Sequence, residues 1–104
     1  MAEMNQTTYS YDIQKLYLEM FLSDAETFVK CQSIFDPDNF NKKLQKTAEF
    51  ITQYVSTHKI MPDEKIVNAS CNMDFAPVLL PKEHYDWLMN EFELFSRHRA
   101  LERA

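Results

Sequence analysis

Glycine does not occur once among the 104 residues of this chain. That absence excludes a phosphate-cradling P-loop, a dinucleotide-binding G-x-G-x-x-G turn and a G-x-S-x-G nucleophile elbow. Each of them needs a residue without Cβ for close backbone approach or positive φ. Tight two-residue hairpins are disfavoured for the same reason. Cysteine is scarce too: Cys31 and Cys71 stand apart, without metal-ligand spacing, and read as buried reduced thiols. Positive charge is in deficit, with 11 Lys and Arg against 16 Asp and Glu, for a net charge of −5. A domain that tracks a nucleic-acid backbone is normally basic, because phosphate neutralisation supplies most non-specific affinity. Direct DNA binding, including a helix-turn-helix reading, is therefore not expected. No apolar run approaches the roughly 18 residues of a membrane span, and the first residues do not resemble a secretory leader. The expected setting is the cytoplasm, with no membrane partner. The sequons at Asn5 and Asn68 are then chance matches.

What the chain does contain is apolar and aromatic: hydrophobic residues make up 45%, with eight Phe, five Tyr and one Trp. With 26% charged residues this is a globular composition, and the length suits one domain with a modest core. No stretch alternates as a strand would, and every proline falls between helical segments. The fold expected is all-α, a compact bundle of about five helices. Residues 1–9 are polar and read as a disordered N-terminus, 10–80 as the domain body, and 81–104 as one long C-terminal helix.

Along the body, Ser10 caps a first helix reaching about Leu22, with Ile13, Leu16, Tyr17, Met20 and Phe21 in its main stripe and Leu18 and Leu22 on another side. Ser23-Asp24-Ala25-Glu26 has capping-box form and predicts a short helix to about Ser33, with Ala25, Phe28 and Val29 turned inward. Asp36 and Pro37 predict the start of a helix to His58, carrying Phe40, Leu44, Ala48, Ile51 and Val55 in helical register. A short helix from Asp63 to about Ser70 buries Ile66 and Val67. Pro77 and Pro81 keep the residues before them out of helical geometry, so 71–80 is an apolar tether.

The segment from Pro81 to Ala104 organises this reading. Pro81 suits the first helical position. At about 100° per residue, Tyr85, Leu88, Met89, Phe92 and Phe95 form one apolar stripe. Trp87, Leu94 and Leu101 form a second on roughly the opposite side. One stripe packs a helix on its own domain; two imply either that the chain covers this helix from both sides or that one face meets another surface. No Gly, Asn or Pro closes the helix, which favours the second explanation and the start of a linker. The oligomer or partner face is assigned to Trp87, Leu94 and Leu101, with Leu18 and Leu22 as a second candidate. Arg97, Arg99 and Arg103 are placed to answer acidic neighbours.

No catalytic constellation emerges. His84 and His98 lie about 21 Å apart along one helix, His58 stands alone, and Glu91 and Glu93 project to different sides. No catalytic, cofactor-binding or metal residue is assigned.

Three stretches carry a family resemblance: YDIQKLYLEMFLSDAETFVKCQSIFDPDNF with its Asn39-Phe40 pair, LQKTAEFITQYVSTHKIMPD, and YDWLMNEFELFSRHRALERA with Trp87, Leu88, Glu91, Arg99 and Ala100. Together they resemble the N-terminal domain of DnaB-type replicative DNA helicases, closest to the versions encoded by tailed bacteriophages. The resemblance spans about residues 10–104 and departs between Cys71 and Pro81, where such domains usually have another helix. It implies a non-catalytic oligomerisation and partner-docking domain, the collar of a hexameric ring that receives primase or a helicase loader in the bacterial cytoplasm. ATP and Mg would belong to a motor domain absent from this chain. The alternative is a stand-alone helical adaptor that binds a replication or transcription factor.

Overall fold

The structure is a computed structural model, which describes residues 9–78 and 80–103. Five α-helices follow one another: α1 (Tyr11–Ser23), α2 (Ala25–Cys31), α3 (Lys42–His58), α4 (Glu64–Cys71) and α5 (Lys82–Arg103). Two 3-10 turns, Gln32–Ile34 and Pro37–Asn39, join α2 to α3, and no strand occurs among the described residues. The all-α architecture with a long final helix is the one expected. The placement of α1 is what organises the bundle: it contacts all four other helices.

Caps set most boundaries. Ser10 Oγ accepts from the Ile13 N–H at 3.3 Å, satisfying one of the donors a helix leaves unpaired at its start. The capping box expected at Ser23 does not form. Ser23 is the last residue of α1, and its hydroxyl accepts from Val78 N at 2.8 Å. Asp24 caps α2 instead, accepting from Glu26 N at 3.1 Å and from the Thr27 hydroxyl at 3.0 Å. This one-residue shift rotates α2, so that Thr27, Phe28 and Cys31 face the core. Val29 and Ala25, expected inside, are exposed.

The helix predicted over 37–58 is broken near its start. Asp36 Oδ1 accepts from Asp38 N at 3.0 Å and holds a single 3-10 turn. The chain then extends through Phe40, and Asn41 begins α3 by accepting from Lys43 N at 2.9 Å. Gln14 of α1 stabilises this break from 27 residues away: its Oε1 accepts from Asn41 N at 2.6 Å while its Nε2 donates to the Tyr9 carbonyl at 2.7 Å. Leu44, Ala48 and Ile51 are fully buried, as their register requires, and Phe40 is nearly so. In α4, Val67 is buried, but Ile66 is 40% exposed, contrary to expectation.

Helices α3 and α4 end in left-handed residues without glycine. Lys59 has φ 60° and Asn72 φ 57°, and their N–H groups close back onto Val55 O and Asn68 O. The tether after α4 is non-helical as expected and carries Phe75 and Val78 into the interior; Leu79 lies outside the described residues. Three side chains spaced four apart on α1 hold it. The Lys15 ammonium meets Asp74 at 2.8 Å, Glu19 accepts from Ala76 N at 2.8 Å, and Ser23 takes Val78 N. Spacing of four puts all three on one face of a helix.

Helix α5 starts just after Pro81, whose carbonyl accepts from His84 and Tyr85. The Tyr85 hydroxyl donates to Val78 O at 2.7 Å, fixing the helix start to the tether. Leu88, Phe92 and Phe95 are buried and meet an aromatic core. Phe92 lies edge-on to Tyr17 at 5.4 Å and to Phe21 at 4.9 Å, with Phe35 and Phe40 at 6.2 and 6.3 Å. Edge-to-face pairs of this kind add about 0.5–1.5 kcal/mol each beyond burial.

Residues 1–8, read from the sequence as disordered together with Tyr9, lie outside the described residues. Tyr9 itself is packed, 5.1 Å edge-on from Phe95 and 6.0 Å from His98.

Candidate interaction surface on the last helix

The two stripes of α5 part company in the structure. Against the buried Leu88, Phe92 and Phe95, Trp87 is 54% exposed, Leu94 48% and Leu101 72%. Successive steps of seven residues fall about 20° short of two full turns, so the three form a slowly slanting line about 21 Å long. No other part of the described chain covers it. Fully burying such side chains is worth roughly 1.5–3 kcal/mol each; half-exposed, the three leave a few kcal/mol unrealised.

The second candidate face is not a face. Leu18 is 0% exposed and belongs to the core, and Leu22 is half-buried and packed against it. The sequence correctly shows α1 as apolar on more than one side. The cause is its central position, where its own chain surrounds it.

The arginines find acids on their own helix. Arg97 reaches Glu93 at 3.6 Å, and Arg99 reaches Glu102 at 3.3 Å with its guanidinium 5.7 Å from the Phe95 ring centre. His98 approaches the same Glu102 at 3.6 Å. These exposed pairs contribute little to stability, roughly 0–1 kcal/mol each. Arg103 closes α5, and its side chain lies outside the described part of the structure.

Next to the arginines lies a cleft of about 340 Å³ between the 3-10 turns and α5. Asp36 and Asn39 stand on one wall; Glu93, Ser96 and Arg97 stand on the other. Asn39 and Ser96 are only 4% and 5% exposed, and Asn39 Oδ1 and Ser96 Oγ find no hydrogen-bond partner among the described residues. Leaving a buried polar group unpaired costs about 1–3 kcal/mol. Sequence reasoning assigned neither residue a site. One signal was present: Ser96 falls inside the arc of the apolar stripe, where a hydroxyl needs a reason. The other wall comes from a turn that pattern analysis merged into a helix.

Elsewhere the chemistry is quiet. Burial pushes the Cys31 thiol up, with Glu93 adding to the effect, so it stays protonated; Cys71 is half-buried and also free. Burial likewise raises the Tyr17 phenol far above its ordinary range. No group of three His, Cys, Asp or Glu side chains that could hold a metal ion occurs among the described residues. No helix among them is long and apolar enough to cross a membrane. Comparison of the chain with protein-family profiles, with curated proteins and with solved structures returned no match.

Proposed function

We propose that this chain is a non-catalytic assembly and docking domain that self-associates through the outer face of α5. The observation that carries this reading is the exposed line Trp87–Leu94–Leu101 on a helix whose inner face is already fully packed. An aromatic anchor flanked by aliphatic residues and rimmed by paired charges is the composition found at the centre of protein interfaces. The same line supports, without requiring, the role implied by the sequence resemblance. That role is the collar of a hexameric DnaB-type helicase ring, which receives primase or a helicase loader while a separate motor domain uses ATP and Mg. The acidic balance and the absence of glycine agree with a domain that leaves both DNA and nucleotide to another part of the machine.

Sedimentation equilibrium tests the self-association. A dimer or larger species is expected at micromolar concentration, weakened by Trp87→Ala and by Leu94→Asp. A monomer at high micromolar concentration overturns it and favours a helical adaptor that binds a different protein. The helicase assignment is tested separately by reading the gene beyond the codon for Ala104. A G-x-x-x-x-G-K-[ST] motif downstream in the same frame is expected; a frame without one overturns that assignment while leaving self-association standing.

A further inference from the structure

The cleft beside Ser96 is independent of the exposed stripe, and its chemistry is specific. Its polar lining is rich in acceptors. Asn39 Oδ1 is a buried carbonyl without a partner among the described residues, Ser96 Oγ can give or take a hydrogen bond, and Glu93 adds a carboxylate, with the negative charge of Asp36 on the opposite wall. Arg97 is the one cation among the described residues of the lining; its side chain is 66% exposed and meets Glu93 at 3.6 Å. Ile34 and Ala100 supply apolar surface. An anion would meet two carboxylates. A neutral apolar group would leave Asn39 and Ser96 unpaired, an expensive outcome for buried polar atoms.

The group that answers all of these features is flat, cationic and many-donored. We propose that this cleft is a receptor for one guanidinium group, carried on an arginine of a partner protein. A guanidinium presents five N–H donors in one plane, enough to serve Asn39 Oδ1, Ser96 Oγ and a carboxylate together. It is more weakly hydrated than an ammonium, and its faces stack on apolar surface such as Ile34 and Ala100. The volume, about 340 Å³, is at the low end for a ligand pocket and suits a single side chain. Charge complementarity selects a basic partner segment: the chain carries −5 overall, which attracts such a segment before contact.

The test uses the full 104-residue chain with N-acetyl-arginine amide as probe, followed by amide NMR, with N-acetyl-citrulline amide as the uncharged isostere. Saturable shifts are expected at the Asn39 side-chain amide and at the Ser96 and Ala100 backbone N–H groups. Citrulline is expected to bind at least about tenfold more weakly, since it lacks the charge-assisted bonds. Ser96→Ala and Glu93→Gln, whose circular dichroism should match the parent, each weaken the arginine probe several-fold; Trp87→Ala leaves it unchanged. Asn39→Ala is the more direct variant but removes a buried side chain, so the other two carry the decision. Equal binding of citrulline, shifts mapping away from the cleft, or no saturable shift overturns the proposal.

Discussion

Asn68 grips Phe75 with both ends of its amide. Its Nδ2 donates to the Phe75 carbonyl at 3.0 Å, and its Oδ1 accepts from the Phe75 N–H at 2.8 Å. The side chain acts as a one-residue strand partner for the tether. This pairing delivers the Phe75 ring to the core just after α4 ends. Asn68→Asp keeps the acceptor but faces a carbonyl with a carboxylate oxygen; Asn68→Ala removes both bonds. Losses of about 1–3 kcal/mol are expected for either, read as a lower urea midpoint at unchanged slope.

Lys59 ends α3 in a left-handed conformation that a residue with a Cβ adopts only at a cost. Lys59→Gly relieves that strain in a chain that has no glycine anywhere. The substitution is expected to stabilise by up to about 1 kcal/mol, offset in part by the greater freedom of glycine in the unfolded chain. Thermal unfolding with Lys59→Ala alongside checks the sign: alanine should give no gain.

The Lys15–Asp74 pair predicts a weak acid-limb dependence. Hydrogen bonding to Lys15 holds the Asp74 carboxyl below its usual value, and the same bond raises Lys15. A carboxyl with a lowered folded pKa contributes stability that is present above its unfolded value of 3.8 and lost as pH falls through the lowered one. The Lys15 contribution is present below 10.5 and lost as pH rises through its raised value. Asp74 is largely in solvent, so the effect is small and screened by salt. Asp74→Asn should flatten the stability profile as pH falls below 3.8, a difference that shrinks in high salt.

Phe92 and Trp87 lie on the two opposed faces of α5, and their substitutions should separate folding from assembly. Phe92→Ala removes the ring that touches Tyr17 and Phe21 of α1, and should cost about 3–5 kcal/mol, enough to unfold much of so small a domain. Trp87→Ala should change monomer stability by no more than about 0.5 kcal/mol. Trp87 is the single tryptophan, so its fluorescence reports the outer face directly. Emission is expected to shift to shorter wavelength as concentration rises and the line is covered.

Much of the fold was legible because its signals are local. Ser10 and Asp36 sit where short polar side chains reach the next N–H groups, and Leu44, Ala48 and Ile51 keep helical register. The exposed line on α5 was legible too, since Trp87, Leu94 and Leu101 recur at a fixed spacing away from the inner stripe. Local signals failed where a distant partner decided the outcome. Ser23 looks like a cap, but Val78, 55 residues later, takes its hydroxyl. The helix expected from Pro37 breaks at a point where Gln14 supplies the acceptor for Asn41. Tyr9 reads as part of a polar tail until Phe95 lies against it. Leu18 illustrates the remaining ambiguity: helical periodicity shows that a second side is apolar, but not whether the chain itself or a neighbour covers it.

The order in which the aromatic cluster is assembled has a consequence for synthesis. Tyr17, Phe21, Phe35 and Phe40 are synthesised first, while Phe92 and Phe95, which close over them, follow more than 50 residues later. At roughly 5–20 residues per second, the nascent chain carries uncovered rings for several seconds. Closure then waits on loops of more than 50 residues, which makes the final step slow for a helical protein and all-or-none in character.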